Sequence, residues 1–220
     1  MTKRPWVGSG LVTLATAFAL LASGCGGSST ATTTTSTTAP AGNVALTVPV
    51  AGSGGFNYTQ GSYLEGFEFT ANSAISITAL GAYDSNLSTV ATGSENFATV
   101  PVALYDLTTH SQLGTVNVSA ADPATGVYRY HALSSPITLN TTDNYAVAWV
   151  SLSNYYLASP TLVASDVSSS INYLAMVGNG GGGLTTTNTM VEPNWFYSLS
   201  ANGLGALNYD LGPNFMFTAG

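Results

Sequence analysis

Nucleophilic catalysis, metal ligation and acid–base hydrolysis each need a particular set of side chains. This chain of 220 residues holds few of them: two histidines, one cysteine and ten carboxylates. A serine hydrolase needs a serine within hydrogen-bond reach of a histidine that a carboxylate orients. His110 sits in LTTHSQLG, which reads as a hairpin turn, and His131 alternates with Arg129 on one face of a strand that carries Tyr128 and Tyr130 on the other. No serine stands in a nucleophile-elbow context, so both histidines read as exposed surface residues. Two isolated histidines without a thiol partner do not make a zinc site either. Glycoside hydrolysis needs two carboxylates facing each other about 5–9.5 Å apart. Glu65 and Glu68 are three positions apart, point to opposite faces of one strand and form no such pair. The expectation is a protein without catalytic residues.

Two other chemistries suit the residues present. Asp84-Ser85-Asn86 supplies oxygen ligands at alternate positions in a loop, and Glu95 or Asp106 would complete a hard-cation shell, which makes a structural calcium the candidate cofactor. The same Asp and Asn residues also favour turns through side-chain to backbone hydrogen bonds. The chain further contains twelve tyrosines and three tryptophans, and Tyr155, Tyr156, Trp195, Phe196 and Tyr197 fall near expected loops or strand ends. Aromatic faces stack on the apolar faces of sugars while Asn, Ser and Asp bond hydroxyls, so Tyr155, Tyr156, Trp195 and Tyr197 are the candidate binding residues. Plain core filling claims Phe67, Phe69, Trp149, Phe215 and Phe217.

The single cysteine is read as an anchor. Lys3 and Arg4 precede an apolar stretch at 11–21 that is too short to span a bilayer, and Leu-Ala-Ser-Gly runs directly into Cys25. This resembles a bacterial lipobox, in which residues 1–24 are removed and Cys25 is acylated to become the first residue. Gly26 replaces the aspartate that retains some lipoproteins at an inner membrane, so the outer membrane or cell surface is the expected location. Residues 26–42, GGSSTATTTTSTTAPAG, hold no charge and no large apolar side chain and read as a tether. Its reach is at most about 60 Å, with a coil span of roughly 20–25 Å. Behind Cys25, Arg129 is the sole cation against ten carboxylates, a formal charge of −9. Such a chain cannot neutralise phosphates, which excludes nucleic acid as a partner and leaves the lipid to hold the domain at the membrane.

The elements that must position these residues are strands. From residue 43 apolar residues recur with a period of two between turn residues, giving expected strands at 44–48, 64–70, 75–78, 100–104, 113–118, 127–133, 137–139, 145–150, 161–164, 171–177 and 214–218. Residues 145–150, Tyr-Ala-Val-Ala-Trp-Val, are apolar on both faces, as suits a central strand covered on both sides. Two loops, 84–97 and 178–189, stand out by length, the second reading as a hairpin tip. So many short strands in residues 43–220 predict one all-β domain, a two-sheet antiparallel β-sandwich that is jelly-roll-like.

In order, the chain reads EGFEFT, AISITALGAYDSN, VPVALYD, QLGTVNV, VYRYHALSSPITL and DNYAVAWV, and it closes on GPNFMFT. This order resembles a group of bacterial exported β-sandwich domains of the kind found in PEP-CTERM-sorted proteins, over most of residues 60–218. It departs from that group in having no C-terminal PEP-CTERM tail, with the N-terminal lipobox in its place. The resemblance implies fold and export and adds no chemistry. The leading functional expectation is a non-catalytic binding or adhesion module at the cell envelope, with a glycan or another envelope component as partner. A structural surface or matrix component that assembles through sheet edges is the alternative, and a hydrolase the third.

Overall fold

Period-two alternation becomes an all-β fold in the computed structural model of the chain. It describes residues 39–47, 55–58, 62–87, 97, 99–151, 155–158, 164–179, 189–198 and 212–220, with backbone alone at 55–58, 85, 155–158, 195, 197 and 198. Residues 1–38, which hold the expected signal segment, Cys25 and most of the expected tether, and Glu95 lie outside the described residues. The strands are β1 (Asn43–Val44), β2 (Gly55–Tyr58), β3 (Leu64–Ala71), β4 (Ile75–Tyr83), β5 (Val100–Asp106), β6 (Ser111–Val118), β7 (Ala124–Thr125), β8 (Tyr128–Leu139), β9 (Tyr145–Val150), β10 (Tyr155–Ala158), β11 (Ile171–Gly178), β12 (Trp195–Ser198) and β13 (Pro213–Ala219). One sheet has the order β1-β13-β4-β8-β7, the other β12-β11-β3-β9-β5-β6, and β2 pairs with β10 as a separate ribbon. All neighbours are antiparallel.

The two sheets meet through aromatic rings. Phe67 and Phe69 on β3 project from one sheet onto Phe215 on β13 of the other, with the Phe69 and Phe215 ring centroids 4.8 Å apart. All five rings expected in the core, Phe67, Phe69, Trp149, Phe215 and Phe217, are buried. β9 matches its expected span, and every one of its residues is buried. Tyr145, Val147 and Trp149 face the inter-sheet core, while Ala146, Ala148 and Val150 join Leu64, Ala103, Tyr105 and Val177 in a second cluster on the outer face, over which Leu107 and Met190 pack. The backbones of β3 and β9 approach so closely that a Cβ at Gly66 would stand 1.9 Å from the Val147 carbonyl oxygen, so only glycine fits there.

Two expectations on strands are corrected. The separate strands at 127–133 and 137–139 are one strand, β8. Its pairing to β4 jumps from Ala79↔Ala132 to Ile77↔Ile137, and residues 133–136, with Pro136 that has no amide to donate, form the bulge between. The strand expected at 44–48 is shorter: β1 stops at Val44, and Leu46 makes an isolated bridge to Val167. Residues 195–198, expected near a loop or strand end, form strand β12 on β11, with Trp195 at its start. Of the strand expected at 161–164, residues 161–163 lie outside the described residues and Ala164 opens a short 3-10 turn.

Where regular pairing lapses after β1, one buried side chain takes over. Asn214 on β13 accepts from the Leu46 amide at 3.2 Å through Oδ1 and donates to the Leu46 carbonyl at 2.8 Å through Nδ2, so it imitates a strand partner. The Asn214→Ala variant strands both backbone groups of a residue that is itself buried. It should lower stability by about 2–4 kcal/mol, read as a lower urea midpoint with unchanged m-value.

Candidate functional site

The outer face of the six-stranded sheet carries a cleft of about 590 Å³, lined by Glu68, Leu107, Thr108, His110, Asn144, Glu192, Pro193, Asn194 and Phe196. Glu68 reaches it because alternation along β3 sends Phe67 and Phe69 inward and Glu68 outward. Its neighbours across the two strand pairs are Ala146 and Ala175, whose methyl groups leave space above the sheet. One wall is the β5–β6 turn. Asp106 Oδ1 accepts from the amides of Thr108 and Thr109 at 2.8 and 3.1 Å, which folds this turn, and His110 closes it with φ of +56°, a conformation rare outside glycine and asparagine. The opposite wall is the segment entering β12. The Asn194 amide donates to the Gly178 carbonyl at 3.0 Å, and Phe196 pairs in register with Val177 on the outer face.

Two polar contacts fasten the walls. His110 Nδ1 and Glu192 Oε1 lie 2.9 Å apart across the cleft mouth. Asn144 donates through Nδ2 to Glu68 Oε1 at 2.8 Å, while its own amide donates to Thr108 Oγ1 and its carbonyl accepts from the Leu107 amide. Burial raises the pKa of the Glu68 carboxyl, and the Asn144 hydrogen bond only partly opposes this. Burial also pushes the Tyr105 phenol, in the apolar cluster near Glu192, up to about 12, with the Glu192 charge adding to the rise. Burial works against the Asp106 carboxylate, but the Thr109 hydroxyl and the Thr109 and Thr108 amides outweigh it and hold its pKa below the ordinary value.

Elsewhere the charged groups are committed to structure. Arg129, on β8, donates through Nε to Asp84 Oδ2 at 2.6 Å and through Nη1 to the Asp122 carbonyl, and the Asp84 side chain is 1% exposed. His131 Nδ1 lies 2.9 Å from Asp122 Oδ1. The Ser119 hydroxyl donates to the other oxygen of Asp122 and not to the imidazole, so this trio contains no nucleophile–base contact.

The sequence-derived candidates are distributed as follows. Asp84 and Asn86 come together: Asp84 Oδ1 accepts from both the amide and the side chain of Asn86. Asp106 ends β5 in the other sheet, and Glu95 is outside the described residues. No group of three or more His, Cys, Asp or Glu with metal-binding geometry occurs among the described residues. Tyr155 and Tyr156 lie in the β2–β10 ribbon opposite Tyr58 and Asn57, whereas Trp195 and Tyr197 lie in β12 opposite Gly178 and Met176, so the four belong to different sheets. Phe196 between the latter two is the ring that lines the cleft, and it is 42% exposed.

Glu68, Asn144 and Glu192 were not among the candidate binding residues. Glu68 carried one signal, a carboxylate flanked by Phe67 and Phe69 on a strand and so turned to the face opposite theirs; Asn144 and Glu192 carried none, since their partners lie 76 and 82 residues away. No protein-family model matches the chain, and no curated protein matches it in sequence.

The shift at Glu68 has a sign that can be measured. A carboxyl whose pKa is higher folded than unfolded binds its proton more tightly in the native state, so its ionised form costs stability at neutral pH, and the cost fades as pH falls through the raised value. Glu68→Gln keeps the oxygen that accepts from Asn144 and removes the charge. It should raise Tm at pH 7 by about 1–2 °C, with the gain vanishing under acid conditions where both states are protonated.

Proposed function

We propose that the chain is a non-catalytic binding or adhesion module of a bacterial cell envelope, anchored through acylated Cys25 and a threonine-rich tether, and that the outer cleft receives a carbohydrate. The carrying observation is the exposed Phe196 ring in a cleft that also presents two carboxylates, two side-chain amides, a hydroxyl and an imidazole, beside the apolar Leu107 and Pro193. Sugars present apolar C–H faces that stack on such a ring and hydroxyls that bond such polar groups. The volume of about 590 Å³ lies in the range of small-molecule sites. An Asn194 and a His110 at opposite walls add adaptable hydrogen-bonding groups at little cost in backbone motion, because both walls are tied to strands.

The test is a glycan array probed with the full chain, purified in detergent, in calcium and again in chelator. A specific hit is expected, and Phe196→Ala should weaken it about 3- to 10-fold with only a modest fall in Tm, because the ring is 42% exposed. A blank array, or full binding by Phe196→Ala, overturns the assignment of the cleft. Release of new reducing ends would move the reading to hydrolysis.

A second reading, a structural component that assembles through sheet edges, is favoured by β6. Among the described residues this strand pairs with β5 alone, and Ser111–Val118 contains neither charge nor proline to guard its free edge. On this reading light scattering of the full chain shows mass rising with concentration, and Gln112→Lys, at an exposed position of the edge, lowers it. A concentration-independent monomer counts against it.

A further inference from the structure

Resting on the carbohydrate reading of the cleft, we infer that its preferred ligand is an amine-bearing sugar, such as a hexosamine lacking its N-acetyl group, whose ammonium is received by Glu68 and Glu192 while its ring stacks on Phe196. Three features of the site point to a cation rather than a neutral or acidic glycan. The first is the balance of hydrogen-bonding groups. Asn144 has spent one of its two side-chain donors on Glu68 and the Thr108 hydroxyl, which accepts the Asn144 amide, keeps one, whereas Glu68 and Glu192 bring acceptors alone, so acceptors outnumber donors at the floor. Among the described residues Asn144 alone hydrogen-bonds Glu68, and it occupies Oε1, which leaves Oε2 to accept. An ammonium offers three donors and no acceptor, the complement of such a floor.

The second feature is charge. Arg129, the one cation behind Cys25, is held by Asp84 on the other sheet and is not in the cleft. An acidic sugar would therefore meet Glu68 and Glu192 with only His110 to offset them. The third is Phe196, whose face attracts a nearby ammonium in addition to stacking on carbon.

The groups that titrate around such a ligand are Glu68 from β3, His110 from the β5–β6 turn, Glu192 before β12, and Tyr105 and Asp106 from β5. Glu68 must be ionised to receive an ammonium, and its carboxyl is raised by burial, so binding should strengthen as pH rises through that value.

The experiment is calorimetric titration of the full chain in detergent with four soluble probes: a β-1,4-linked glucosamine tetramer, its fully N-acetylated counterpart, a galacturonate tetramer and a linear tetraamine. The glucosamine tetramer should bind about tenfold more tightly than the N-acetylated one, since one desolvated charge-assisted contact is worth that much. That advantage should shrink with added salt. Glu68→Gln should abolish the advantage, and Glu192→Gln should reduce it independently, so a folding defect in one variant does not decide the matter. Equal binding of the two hexosamine tetramers, or preference for the N-acetylated or galacturonate one, overturns the inference while the carbohydrate reading stands. Equal binding of the tetraamine shows attraction to an acidic surface without a sugar site and overturns it as well. No binding of any probe removes both this inference and the carbohydrate reading beneath it.

Discussion

Ala146, Ala148 and Val150 lie on the face of β9 that points away from the second sheet, and burying them governs much of the surrounding architecture. In a two-sheet sandwich one face of each sheet is covered by the other sheet, and the outer face normally meets water. Here the outer face is apolar at its centre, so material from outside the sandwich must cover it. Leu107 from the β5–β6 turn and Met190 from the approach to β12 supply that cover. Both flank the centre of the sheet, and the cleft opens where the cover ends and the small side chains Ala146 and Ala175 stand beside Glu68. The site is thus a border between an apolar patch and a polar rim, which is why a carboxylate partly cut off from water and an exposed phenyl ring occur side by side.

Scarcity of cations explains how the turns are made. With one arginine behind Cys25 the carboxylates have few ion-pair partners, and several of the described ones accept instead from amides and hydroxyls a few residues along. Asp84 accepts from Asn86, Asp106 from Thr108 and Thr109, and Asp122 from Ser119. Each hydrogen bond both solvates a carboxylate and closes a turn, so acid content and loop geometry are one feature of this chain. Arg129 is paired with a buried one, Asp84, where an uncompensated charge would be costly. The cleft is left acidic as a consequence.

That economy bears on function through a trade. Glu68 is less stable ionised than a neutral residue of its shape would be, so keeping such a group at the cleft is at the expense of folding. The His110–Glu192 contact joins the two walls at the surface, where water and salt weaken it, so it orients the mouth more than it holds the domain together. The aromatic contact of Phe67 and Phe69 with Phe215 does the holding, on the opposite face of the sheet from the cleft.

Much of this was legible from the residues alone. Alternation marked β3, β5, β9 and β13, placed Tyr128 and Tyr130 inside with Arg129 and His131 outside, set Glu65 and Glu68 on opposite faces and located His110 in a turn. These are local properties, because the side-chain period of a strand is a matter of consecutive residues. What lay beyond reach is long-range. The continuity of β8 through Pro136, the strand character of residues 195–198 and the meeting of Asn144 with Glu68 and of His110 with Glu192 depend on which strands pair and in what register. A sequence states which face a residue occupies, but the residue opposite it is chosen by how both sheets bury their apolar faces at once, and only the folded chain settles that choice.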